Sequence, residues 1–165
     1  MSRYEAPRHV VVHKNDKYEI RRYDGYLVAQ TIVTGTYDAT GRVAFQRLAA
    51  YIFGRNVENV KMNMTVPVSH RPLSDGAHEY RFVMERTYDV ATVPRPTDSR
   101  IEIVRVPPGH RAAARFRGSR TERRYRRAER ALLEALNSDG RIESITTHLR
   151  EVGDKIARTS QPRGP

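Results

Sequence analysis

The second half of this chain repeats the first at an offset of 83 residues. Glu19-Ile20 match Glu102-Ile103, Arg22 matches Arg105, Ala29 matches Ala112 and Gly35 matches Gly118. Each copy reads as strand, turn, strand, glycine, helix, so the order of elements repeats along with the identities. Two copies fill the 165 residues, and no linker long enough to separate domains lies between them. The expectation is one domain over residues 1–165, ordered from about 9 to 157, with halves at about 17–86 and 100–157. The polar ends are expected to fray.

In the first half, Lys17 to Tyr23 is a predicted strand and Asp24-Gly25 a hairpin-type turn. Tyr26 to Val33, rich in β-branched and aromatic residues, is a second strand. After Gly35, Asp38 or Thr40 is placed to cap a helix running to about Phe53. Phe45, Leu48, Ala49 and Ile52 recur at helical spacing and share a face, and Gly54 ends the run.

The second half offers strands at Ile101 to Val106 and Arg111 to Arg117, joined by Pro107-Pro108-Gly109. Ser119 and Glu122 have capping-box spacing. The following helix carries Tyr125, Ala128, Leu132 and Leu136 on one face and stops at Gly140. Period two turns His110, Ala112, Ala114 and Phe116 inward and most of the arginines outward. Met62 to Ser69 and Tyr80 to Arg86 are further strand candidates, whereas Pro94 and Pro96 make a loop. His148 to Val152 reads as either a last strand or a short helix. These elements predict an α+β fold, an antiparallel sheet with helices on one side and a tendency to curl into a barrel. Such folds leave a concave space suited to apolar ligands.

Composition narrows the chemistry. The chain has no cysteine, which removes disulfides, thiolate metal sites and covalent c-type haem attachment. Met1 to Val12 lacks a signal-peptide pattern, and no apolar run spans a bilayer, so a soluble, cytoplasmic protein is expected. The net charge of +11 comes mostly from arginine, dense between Arg105 and Arg130. That cluster reads either as a solvated face or as a surface for nucleic acid or an acidic partner. Aromatics are not interleaved with this cluster in the way a base-stacking surface would need.

Several segments together resemble the SOUL haem-binding proteins. Tyr18-Glu19-Ile20-Arg21-Arg22-Tyr23 is similar to that family's opening motif. Phe45 through Leu48 to Tyr51-Ile52-Phe53-Gly54-Arg55-Asn56 resembles its helix-ending motif. Lys61-Met62-Asn63-Met64-Thr65-Val66-Pro67-Val68 resembles its Met-Thr-x-Pro-Val segment. Pro94-Arg95-Pro96 and Arg115-Phe116-Arg117-Gly118 resemble its proline loop and its Phe-x-Gly strand end. The resemblance covers about residues 17 to 140. It implies a distorted β-barrel with two flanking helices, pseudo-twofold internal duplication, fold kinship to gyrase-inhibitor-like domains, and reversible binding of haem or a related tetrapyrrole rather than catalysis. Two departures stand out. Ile145 to Ile156 lacks the family's terminal Ala-x-Tyr-x-Pro-Pro-like motif, and Arg22 stands where a member uses an axial histidine.

The candidate ligand face follows from the first helix. Arg42, Gln46 and Phe53 flank the stripe of Phe45, Ala49 and Ile52. Phe45, Ala49 and Phe53 would cover a porphyrin face while Arg42 pairs with a propionate. The plainer reading makes Phe45 core and Arg42 surface. Met62 and Met64 share a strand face, where thioethers suit an adaptable wall; iron ligation by them is the weaker reading beside core filling. Among the six histidines, His70 and His110 are the ones to test as iron ligands. Glu79 and Glu85 would need burial to act as acid or base. No nucleophile elbow or phosphate-cradling glycine loop is present. The reading is a non-covalent haem carrier or buffer. The alternatives are a gyrase-inhibitor-like module binding or hydrolysing another hydrophobic small molecule, and an Arg-rich partner of nucleic acid.

Overall fold

The computed structural model describes residues 4–119, 121–142 and 145–151. Ten elements follow in order: β1 (His9–Lys14), β2 (Glu19–Tyr23), β3 (Tyr26–Thr34), α1 (Tyr37–Ile52), β4 (Val68–Pro72), β5 (Ala77–Val83), β6 (Glu102–Val106), β7 (Gly109–Phe116), α2 (Glu122–Ser138) and β8 (Thr146–Glu151). The class is α+β, with two helices and two four-stranded sheets. The chain divides into two compact units. The first holds β3, β4, β5, β6 and α1; the second holds β1, β2, β7, β8 and α2.

The first unit's sheet has the order β4-β5-β3-β6, antiparallel throughout. Leu27 and Ala29 on β3 and Tyr80 and Phe82 on β5 point to one face, as the two-residue period requires. Against them α1 lays Ala44, Leu48, Ala49 and Ile52. Val28, Val83 and Val106 form a separate buried cluster. Thr36, two residues ahead of the expected Asp38, caps α1: its Oγ1 accepts from the Ala39 amide at 3.3 Å. Thr40 is instead buried, its hydroxyl 2.7 Å from that of Tyr80. Beyond the helix, Gly54 takes φ 114°, a left-handed conformation that glycine adopts without a Cβ penalty.

The second unit's sheet has the order β1-β2-β7-β8, with β8 parallel to β7. Tyr18, Ile20 and Ala112 pack on Leu132 and Leu136 of α2. Thr121 caps α2, rather than Ser119, and accepts from the Arg124 amide at 3.3 Å. At the far end the Tyr18 hydroxyl donates to the Asp139 carboxylate just past α2, and burial pushes the Tyr18 phenol pKa up. Asp139 is exposed, so water can replace the lost donor. Tyr18→Phe should therefore cost only about 1 kcal/mol in urea unfolding.

Three expectations are corrected. The turns at Asp24-Gly25 and Pro107-Pro108 do not close hairpins: β2 pairs with β7, and β3 pairs with β6. The two connections run against each other, since a Cβ on Gly25 would sit 3.1 Å from Pro108 Cδ. Because β2 and β3 part at this crossing, they enter different sheets, and neither sheet closes into a barrel. The strand expected from Met62 begins only at Val68, after Pro67, whose missing N–H cannot join a ladder. No described helix is long and apolar enough to cross a membrane.

Candidate functional site

The end of α1 is fixed by contacts the helix cannot make alone. A helix leaves its last carbonyls without intrahelical donors. Here Gly54 N donates to Tyr51 O at 3.3 Å, and Asn56 Nδ2 donates to the same carbonyl at 3.1 Å. Met62 N donates to Ile52 O at 2.8 Å, tying the methionine segment to the helix end. The proline loop docks here too. Tyr51 donates its hydroxyl to Pro94 O at 2.6 Å, Val57 N donates to Arg95 O at 2.9 Å, and Thr97 Oγ1 donates to Arg55 O at 3.1 Å. Burial pushes the Tyr51 phenol far above its ordinary pKa, so it stays a neutral donor.

On this fixed helix, Arg42, Gln46 and Phe53 are exposed on the outer stripe. Phe53 keeps 41% of its surface open, with Lys61 Nζ 5.9 Å from its ring centre. Phe45 is half-buried at the margin, its ring 5.5 Å from that of Phe82. Ala49 is buried beneath the stripe. Met62 is sealed in the core, and Met64 packs partly buried against the same cluster. The first unit thus brings all seven sequence-predicted residues to α1 or to the segment tied to its end. Only part of that set, namely Arg42, Phe45, Gln46, Phe53 and Met64, keeps accessible surface.

The histidines lie elsewhere. His70 on β4 and His78 on β5 face each other, with Nε2 of one 3.1 Å from Nδ1 of the other. His70 also stacks on Tyr80 at 4.2 Å between ring centres. His110 belongs to the second unit, where it is the second residue of β7 and is exposed. This corrects its expected inward placement: the α2 core takes Ala112 and Ala114 from that face and stops short of His110. Arg111, expected outward, is buried with its guanidinium 5.4 Å from the Tyr23 ring centre. Arg22, opposite His110 in the ladder, is exposed. Among the described residues no cluster of three His, Asp or Glu is built to hold a metal ion. Glu79 is buried between Arg71 and Arg81, each 3.1 Å away, while Glu85 accepts from Asn63. The arginines from 105 to 130 do not act alike: Arg126 reaches Glu122 and Glu129 at 3.7 Å, and Arg124 donates to Arg117 O.

Next to the stripe, a cleft of about 550 Å³ opens within the first unit, lined by Val43, Gln46, Arg47 and Ala50 of α1 and by Arg55, Asp98, Arg100 and Ile101. Of the sequence-predicted residues it contains Gln46 alone. Periodicity had no means of flagging Arg47 and Arg100, since the fold alone brings them together. Arg100 holds Asp98 in a fork, Nε to Oδ1 at 2.8 Å and Nη2 to Oδ2 at 2.7 Å. That pairing draws the Asp98 carboxyl down to about 2. Arg47 has 11% of its side chain exposed, and its closest acidic contact is Asp98 at 4.0 Å. Burial, then the neighbouring Arg100 charge, both push the Arg47 pKa down.

Residues 4–151 match the family model for the SOUL heme-binding protein. The chain belongs to the SOUL heme-binding protein family. No curated protein matched. In a SOUL chain without cysteine, haem would be held non-covalently. On the outer stripe of α1, Phe53 and Phe45 expose apolar surface, and Arg42 stands exposed about one turn from Phe45.

Proposed function

We propose that this protein is a carrier or buffer for haem or a related tetrapyrrole, held on the outer stripe of α1. When bound, haem supplies a flat apolar ring, two carboxylates and an iron centre. Phe45 and Phe53 form the floor above the buried Ala49, Gln46 and Met64 the edges, and Arg42 the propionate partner. An open phenylalanine at the end of α1, on the same stripe as an exposed arginine about three turns earlier, carries this reading: Phe53 is 41% exposed and Arg42 is exposed. Burying apolar surface at ~25 cal/mol per Å² supplies most of the affinity. Axial ligation is weak or absent in this reading. His70 Nε2 already faces His78, and the family's axial position carries Arg22. His70 and His110 remain the histidines to test.

Hemin titration followed by the Soret band tests the proposal. One equivalent should saturate the protein. Arg42→Ala and Phe45→Ala should each weaken hemin roughly tenfold, about 1.4 kcal/mol. Unchanged affinity in both variants would remove the stripe as the site. Binding that stays unsaturable and vanishes with modest salt would instead favour a general polyanion surface. A Soret band unmoved by His70→Ala and by His110→Ala would leave neither as an axial ligand.

A further inference from the structure

The cleft beside α1 poses a charge problem that the haem face does not solve. Arg47, Arg55 and Arg100 line it, with one carboxylate, Asp98, among them. Asp98 is already committed, since Arg100 takes both of its oxygens and also donates its backbone amide to Oδ1 at 3.0 Å. Arg47 makes its short contact to a neutral acceptor, Nη1 to Thr31 Oγ1 at 2.7 Å, and stays 4.0 Å from Asp98. A guanidinium does not shed its proton in a protein, so its partly buried charge calls for an anion. Arg55 is exposed on the rim, and among the described residues its guanidinium has no ion pair. Once the Asp98–Arg100 pair is set aside, two positive charges remain facing the cleft.

We propose that this cleft binds a small organic dianion, a phosphate monoester, with Arg47 and Arg55 on the phosphate and Val43, Ala50 and Ile101 against the organic group. The phosphate's charge of about −2 matches the two guanidinium charges left over once Asp98 is paired with Arg100, and its oxygens would accept from both. The organic group follows from size: about 550 Å³ is ample for a small molecule and far more than a bare phosphate fills. The site meets the edge of the haem stripe at Gln46 but takes none of Arg42, Phe45 and Phe53, and it does not depend on haem binding there.

Isothermal titration of the full chain with phenyl phosphate tests this, with ionic strength held constant by sodium chloride and inorganic phosphate as the second probe. Saturable one-to-one binding is expected, tighter for phenyl phosphate than for inorganic phosphate. Arg55→Gln and Arg47→Gln should each weaken it about tenfold. Arg47 also bonds Thr31, so the exposed Arg55 variant, with an unchanged melting temperature, carries the result if Arg47→Gln fails to fold. Arg124→Gln, on α2, should change nothing. Hemin-saturated protein should bind phenyl phosphate as the free protein does. The proposal is overturned by heat that never saturates at constant ionic strength, by equal weakening in Arg124→Gln, or by unchanged affinity in Arg55→Gln. Displacement by hemin would also overturn it, by making the cleft part of the haem site.

Discussion

Asn56→Ala should lower the unfolding free energy by about 3 kcal/mol, the sum of three hydrogen bonds at roughly 1 kcal/mol each. The side chain is 2% exposed and uses both ends of its amide. Nδ2 donates to Tyr51 O at 3.1 Å and to Val60 O at 2.8 Å, while Oδ1 accepts from Val60 N at 3.0 Å. It thereby closes the loop after α1 onto the last turn of the helix. Alanine would remove the buried donor to Tyr51 O and the side-chain partners of both the N–H and the C=O of Val60. Asn56→Asp keeps the acceptor but loses both donors and places a carboxylate beside two carbonyls. At neutral pH it should cost at least as much as alanine. Urea unfolding measures both. A loss under about 1 kcal/mol for alanine would mean that the loop stays closed by other contacts.

That result would also explain why the helix-ending motif was readable. Gly54 and Asn56 are there for backbone reasons, a left-handed turn and a buried amide clamp, and such demands leave residue types that a sequence shows. The start of α1 was harder to read because Thr36, Asp38 and Thr40 are all good capping residues within one turn. What decides among them is the contact between Thr40 and Tyr80, across to a strand that sequence spacing does not locate. The same limit governed the strands. Asp24-Gly25 has the local chemistry of a hairpin, but the pairing of β2 with β7 and of β3 with β6 is set by partners far along the chain.

The candidate site divides in a similar way. The outer stripe of α1 was legible because it follows from helical period alone, and Arg42, Gln46 and Phe53 are exposed where that period puts them. Met62 follows no such rule: it lies outside any strand, and its burial depends on the bond from its amide to Ile52. The buried Arg111 was misread because period two sends an arginine to solvent by default. Arg21, on the neighbouring strand, is 4% exposed as well, with Glu19 at 2.7 Å and the Tyr23 hydroxyl at 3.2 Å to satisfy it. Burial alone would lower its pKa, but those partners raise it on balance, which keeps the charge in place. Neither partner announces itself in the sequence as anything but another strand residue.

Leu48→Ala should cost about 3 kcal/mol and separate packing from ligand contact. Leu48 is fully buried in the centre of α1, within the cluster that includes Ala29, Tyr80 and Phe82. Two of its helix neighbours in that cluster, Ala44 and Ala49, are too small to fill the space a shortened side chain leaves. Most of the cavity term should therefore appear as lost stability. Leu48→Met, nearly equal in volume, should cost less than about 1.5 kcal/mol. A domain of ordinary stability, about 5–15 kcal/mol, stays folded after the alanine change. Hemin affinity can then be read on the native protein. Leu48 has no surface on the outer stripe, so its alanine variant should hold hemin within about a factor of two of wild type. Phe45→Ala, at the margin of that stripe, should lose roughly tenfold. If Leu48→Ala weakened hemin as much as Phe45→Ala while remaining folded, the ligand would be reading the helix core, and the outer stripe would not be the binding face.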